Sequence, residues 1–162
     1  MRFSVESTLP GSVPEVLAIL LDPGFLAELC DLPKVSAPEV LEHRADERSA
    51  FQRVRYRFTG SLSSAVTRVL DPGRLTWVDE TTWDLEAGTG TFRILPDHYA
   101  NRLRCSGTYR LDPIESGCRR RAAGDLVVSY PIVGRAVERA IVGGLEEHLE
   151  AEVELITRRL GA

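Results

Sequence analysis

The chain has 162 residues, of which 43% are apolar and 27% charged, which excludes a disordered tail and a collagen-like repeat. At this length roughly 70% of the unfolded surface can be buried, so residues 1–162 can form a single domain around one core without disulfide or metal staples. A net charge of −4 argues against a protein that coats nucleic acid, and the apolar run 16–21 is far too short to cross a bilayer.

In chain order, residues 2–9 alternate, with Phe3, Val5, Ser7 and Leu9 on one side, and read as a half-buried strand ended by Pro10-Gly11. Ser12-Val13-Pro14-Glu15 fits a capping box for a helix through Val16, Leu17, Ile19 and Leu20. Asp22 can cap a second short helix through Phe25, Leu26 and Leu29. From residue 38 the period changes to two, which predicts strands over 40–46, 51–58, 74–85, 89–95, 101–111 and 117–130, with a short helix over 62–70 interrupting them. Breaks fall at Asp71-Pro72-Gly73, Gly88, Pro96-Asp97 and residues 113–117. Over 134–160 the apolar residues recur every three or four positions, giving an amphipathic helix about 40 Å long at ~1.5 Å per residue.

A seven-stranded antiparallel sheet twists and curls, and the final helix supplies the apolar stripe that covers one face of it. The predicted fold is therefore α+β. Its curved sheet wraps around a long C-terminal helix, and two short helices follow the first strand. This arrangement resembles the START/Bet v 1-like superfamily, or helix-grip fold, over essentially the whole chain. Within it, the chain is most similar to a bacterial family catalogued as domain of unknown function 2505. The likeness is carried by Met1-Arg2-Phe3, Gly73-Arg74-Leu75-Thr76-Trp77, Gly90-Thr91-Phe92, Gly107-Thr108-Tyr109-Arg110-Leu111 and the stretch from Val128 to Gly134. These are packing and turn motifs. The resemblance implies binding of lipids, sterols, polyketides or other apolar ligands, with some members acting as cyclases or hydrolases. It transfers no catalytic residue.

Strand parity offers a candidate inner face of Val54, Tyr56, Phe58, Trp77, Thr81, Trp83, Phe92, Ile94, Leu103, Cys105, Gly107 and Tyr109. The candidate ligand-binding side chains are Tyr56, Phe58, Trp77, Asp79, Trp83, Phe92, Leu103 and Tyr109 from the sheet, with Ile141, Leu145 and His148 from the helix. Each aromatic could equally be core filling. Asp79 shares parity with Trp77 and Trp83, so an unbroken strand would turn a carboxylate inward as a polar anchor or a general acid/base; a bulge or a watery rim position is the expectation. His148 is read as a structural boundary residue, or as a base with Glu152 one turn away. His43 and His98 are expected in solvent. Gly143-Gly144 in mid-helix allows close packing on the sheet, close approach to a ligand, or a hinge that opens the cavity.

The opposite sheet face, with Arg53, Arg55, Arg57, Arg102, Arg104 and Arg110, reads as solvated, and so does Arg119-Arg120-Arg121. Cys30, Cys105 and Cys118, without C-x-x-C spacing, read as reduced thiols. The absence of P-loop, dinucleotide, zinc-protease and nucleophile-elbow motifs predicts no cofactor and no metal. Without a signal-peptide core at its start, the chain is expected in the cytoplasm. The sequence thus predicts a carrier of a hydrophobic small molecule or lipid, with no nucleic-acid partner and no stable membrane insertion. The alternatives are a cyclase/dehydratase-like enzyme on a polyketide-like substrate, or a protein-interaction module with a filled core.

Overall fold

In the computed structural model, which describes residues 1–29, 34–36 and 38–161, seven strands form one antiparallel sheet in the order β1-β7-β6-β5-β4-β3-β2. The strands are β1 (Arg2–Leu9), β2 (Glu39–Ala45), β3 (Ser49–Arg57), β4 (Thr76–Asp84), β5 (Thr89–Pro96), β6 (Leu103–Ile114) and β7 (Gly117–Val128). The helices are α1 (Val13–Leu20), α2 (Pro23–Glu28), α3 (Ser64–Thr67) and α4 (Gly134–Leu160). The fold is the predicted one: a curved open sheet closed on one face by a long C-terminal helix. Cys30 lies outside the described residues.

Local chemistry explains most boundaries. Glu15 accepts hydrogen bonds from the Ser12 backbone N–H at 2.8 Å and from its hydroxyl at 2.6 Å, which ties down the start of α1. Asp22 caps α2 by accepting from the Gly24 N–H at 2.9 Å. The predicted helix over 62–70 shrinks to the single turn of α3, because Val66, Thr67 and Val69 are β-branched and Asp71 caps a separate 3₁₀ turn at Pro72–Arg74. β6 runs three residues further than predicted, pairing as far as Ile114 with Gly117, whereas β7 stops at Val128, short of the predicted end at 130. Pro113 is tolerated in β6 because β5 pairs with that strand only as far as Arg110.

The two ends of α4 are held differently. At its C-terminal end Arg159 bonds Asp22 at 2.5 Å and Glu28 at 2.8 Å, and Ile156 is fully buried with Leu9, Val16, Phe25 and Trp83. Nearer its start, Val137 is buried with Phe3, Phe92, Leu126 and Val128. Between those contacts the helix stands off the sheet, and a space remains.

Candidate functional site

The inner face of the sheet is built from cross-strand rungs. Tyr56 pairs with Trp77, Val54 with Asp79, and Gln52 with Thr81. The rungs continue from Asp79 to Ile94, from Thr81 to Phe92 and from Trp83 to Gly90. They then pass from Ile94 to Cys105 and from Gly90 to Tyr109. Two glycines let the large rings lie flat. A Cβ at Gly90 would sit 2.9 Å from the Trp83 indole, and one at Gly107 would sit 2.6 Å from the Phe92 ring. Trp83 consequently stacks on Tyr109 with centroids 5.3 Å apart, Phe92 lies 4.9 Å from Tyr109, and Tyr56 stacks on Trp77 at 6.0 Å.

Between this face and α4 lies a cavity of about 500 Å³. Every side chain singled out from the sequence lines it: Tyr56, Phe58, Trp77, Asp79, Trp83, Phe92, Leu103 and Tyr109 from the sheet side, and Ile141, Leu145 and His148 from α4. The interior is therefore not filled, contrary to the filled-core alternative. Gly143 and Gly144 also line it; a Cβ at Gly143 would meet nothing within 4 Å, and one at Gly144 only the Lys34 side chain at 3.8 Å. The glycine pair thus does not serve close packing on the sheet. The lining residues that are also exposed, among them Lys34, Arg74, His98, Arg102, Arg139 and Glu147, mark the opening beside the first half of α4.

Asp79 corrects one expectation. β4 is paired without a break on both sides, so there is no bulge and the carboxyl points inward. Burial pushes its pKa up to about 6; the Thr81 hydroxyl, donating to it at 3.1 Å, and the nearby Glu152 charge act in opposite directions. Burial, reinforced by the Asp79 charge, raises both Tyr56 and Tyr109, and the Cys105 thiol is pushed up to about 12. These groups stay protonated at neutral pH, which leaves each with a proton to donate. His148 presents its ring edge-on to Tyr56 at 6.3 Å, and its buried Nδ1 has no hydrogen-bond partner among the described residues. Burial lowers its pKa, so the imidazole is neutral at pH 7.

Three further expectations are overturned. Arg120 is not part of a solvated run. It is 2% exposed on the inner face, where it pairs with Glu152, donates to the Leu149 carbonyl at 3.0 Å and donates to the Ser7 hydroxyl at 3.2 Å. Glu152 is paired with Arg120, and it acts on His148 as a nearby charge that opposes the effect of burial. His43 is half-buried and shares a 3.3 Å hydrogen bond with Gln52, because a register shift after Val40 turns it to the inner side. Arg102 precedes β6 and lines the cavity opening instead of the outer face. The outer face itself carries cross-strand ion pairs, with Arg53 3.4 Å and Arg93 2.5 Å from Glu80, and Arg55 3.4 Å from Asp97.

Among the described residues no three His, Cys, Asp or Glu side chains come together as a metal site. No helix among them is long and apolar enough to cross a membrane.

Comparison with known proteins places this geometry. A family model described as protein of unknown function (DUF2505) matches residues 4–160. A protein from Thermus thermophilus, TTHA0849, superposes with a TM-score of 0.73 at 20% identity, over 98% of this chain and 99% of its own. The ZhuI aromatase/cyclase of Streptomyces sp. R1128 gives a TM-score of 0.71 at 16% identity, over 99% and 95%. A point mutant of norcoclaurine synthase from Thalictrum flavum, in complex with a transition-state analogue, gives 0.63 at 16% identity, over 98% and 95%. No curated protein matches the chain by sequence.

Proposed function

The chain belongs to the DUF2505 family and has the START/Bet v 1-like fold, and because neither fixes an activity we propose, from the cavity itself, that it binds or carries an apolar small molecule or lipid between the sheet and α4. The observation supporting this reading is a cavity of about 500 Å³ walled by aromatic and aliphatic side chains, with a few polar groups set among them. A ligand gains roughly 25 cal/mol for each Å² of apolar surface it withdraws from water. Tyr56, Asp79, Tyr109 and His148 then orient it. The reading involves no nucleic acid and no stable membrane insertion, and it has the protein working in the cytoplasm.

Native mass spectrometry of the protein purified from its own host, followed by solvent extraction, tests it. A reproducible co-purifying hydrophobe is expected, lost from Trp77→Ala and retained by Arg55→Ala, whose side chain is ion-paired on the outer face. A wild-type protein that carries nothing from its host and takes up no apolar dye overturns the reading.

One observation favours a second reading, an enzyme of the cyclase/dehydratase kind acting on a polyketide-like substrate. Asp79 lies within electrostatic reach of Tyr56 and Tyr109, and its pKa of about 6 suits it to give and take a proton near neutral pH. The fold is shared with a protein named an aromatase/cyclase. Conversion of a poly-β-ketone analogue by the wild type but not by Asp79→Asn selects the enzyme; unchanged analogue with both proteins selects the carrier.

A further inference from the structure

The charged residues at the cavity opening are unevenly balanced. Among the described exposed residues that line it, Lys34, Arg74, Arg102 and Arg139 face a single carboxylate, Glu147, so this lining is net positive on a chain whose total charge is −4. Lys34 is matched to that carboxylate at 2.6 Å. The three arginines have no ion pair among the described residues, whereas Arg53, Arg55 and Arg93 on the outer face all do.

Two of the three are nonetheless held in place. Arg74 lies over the Tyr99 ring at 5.5 Å and meets His98 Nδ1 at 3.3 Å. Arg102 lies over the Tyr130 ring at 5.2 Å and donates to the Ser129 carbonyl at 3.1 Å. Arg139 donates to the Arg135 carbonyl, one helical turn back, at 3.3 Å. Aromatic faces and carbonyls fix a guanidinium without neutralising it, and they leave N–H donors free for an oxyanion.

The far end of the cavity is unfavourable to the same group. An anion carried inward would meet Asp79 and Glu152, and the one guanidinium there among the described residues, Arg120, is already bonded to Glu152, Ser7 and Leu149. We propose that the opening is an anion-recognition rim and that the ligand is an amphipathic anion, with its apolar body in the cavity and its oxyanion at Arg74, Arg102 and Arg139. This rests on the binding reading above and adds the charge and orientation of the ligand.

Two dyes with one apolar body separate the two ideas: 1-anilinonaphthalene-8-sulfonate, which is anionic, and N-phenyl-1-naphthylamine, which is neutral. The full-length protein is expected to bind the sulfonate at least about tenfold more tightly, a preference of ~1.4 kcal/mol that shrinks as salt is raised. In the triple variant Arg74→Gln/Arg102→Gln/Arg139→Gln the two dyes should bind alike. The charge-matched control Arg104→Gln/Arg119→Gln/Arg158→Gln, which alters no cavity-lining residue, should keep the preference. Equal affinities in the wild type, or a preference that both triple variants reduce equally, overturn the rim and leave the cavity reading intact. Failure of both dyes to bind the wild type overturns both. Competition by sodium dodecanoate and by phosphatidylglycerol vesicles then tells a soluble acid from a lipid headgroup, whichever displaces the sulfonate more effectively.

Discussion

Two segments of α4 have opposite relations to the sheet. From Leu149 onward the helix is anchored: Leu149, Glu152 and Ile156 are all buried, and Arg120, Asp22 and Glu28 reach it from β7, the α1–α2 link and α2. Around Ala140 to Leu145 it carries Ile141, 37% exposed, and two glycines with almost nothing opposite them. The first of these segments contributes stability and the second leaves room, while Val137, nearer the start of the helix, is buried again. A protein that must be both folded and hollow divides its longest helix in this way, because packed contacts along some stretches offset the apolar surface left uncovered along another.

The largest effect should come from breaking the anchored segment. Glu152→Ala strands a guanidinium that is 2% exposed, and removing one partner of a buried pair costs about 3–5 kcal/mol, measured as a fall in the urea midpoint. Ile156→Ala, at a position with no exposure, should cost about 2–5 kcal/mol. Ile141→Ala in the free segment should cost under about 0.5 kcal/mol. If the two isoleucine variants lose stability equally, the division of α4 is wrong.

Asp79 sharpens the comparison from the cavity side. Its pKa of about 6 in the folded protein exceeds the ordinary aspartate value of 3.8, so between these two values the folded state binds more protons than the unfolded one. The wild type therefore loses stability as pH rises through that window, by about 3 kcal/mol on a shift of this size. Asp79→Asn carries no such titration. It should be more stable than the wild type by about that amount at a pH of about 8 and nearly equal to it at about 4, read as the difference in denaturant midpoints across pH. His148 titrates in the opposite sense: burial lowers its pKa, so its contribution is present above its unfolded value near 6.5 and falls away as the solution is acidified. A gap between variant and wild type that does not change with pH would mean the Asp79 carboxyl is solvated.

How much of this was legible follows from how cleanly each strand alternates. In β3, β4 and β5 the two parities differ sharply, with Val54, Tyr56, Trp77, Trp83 and Phe92 against Arg53, Arg55, Glu80 and Arg93, so the inner face could be read directly. β7 gives no such contrast around its three arginines, because Arg119, Arg120 and Arg121 occupy both faces. Only Cys118, Ala122, Leu126 and Val128 hinted that the even positions turn inward. What makes Arg120 tolerable there is a carboxylate 32 residues further on, and that pairing is tertiary. Asp79 was placed on the correct parity, yet the rule against burying carboxylates favoured a bulge; an interior open to a cavity, with Thr81 as donor, removes the need for one. His43 was illegible for a local reason, since the register shift between Val40 and Glu42 changes which residues of β2 face inward. The opening depends on where α4 leaves the sheet, and hydrophobic period alone does not encode that distance.

The smallest expected effect tests the hollow segment most directly. Gly143 and Gly144 sit in a helix interior, where each glycine costs about 0.5–1 kcal/mol relative to alanine through backbone entropy. Neither has a positive φ, and the Cβ added at either meets no atom closer than the Lys34 side chain at 3.8 Å, so alanine fits both without strain. Gly143→Ala/Gly144→Ala should therefore raise the denaturant midpoint, by an amount equivalent to about 1–2 kcal/mol for the pair. The added methyls project from a segment that lines the cavity, so affinity for N-phenyl-1-naphthylamine should fall as stability rises. If stability and dye affinity rise together, the glycines are not there to leave space. If stability falls, the helix needs their flexibility, and the first half of α4 moves when the cavity is filled.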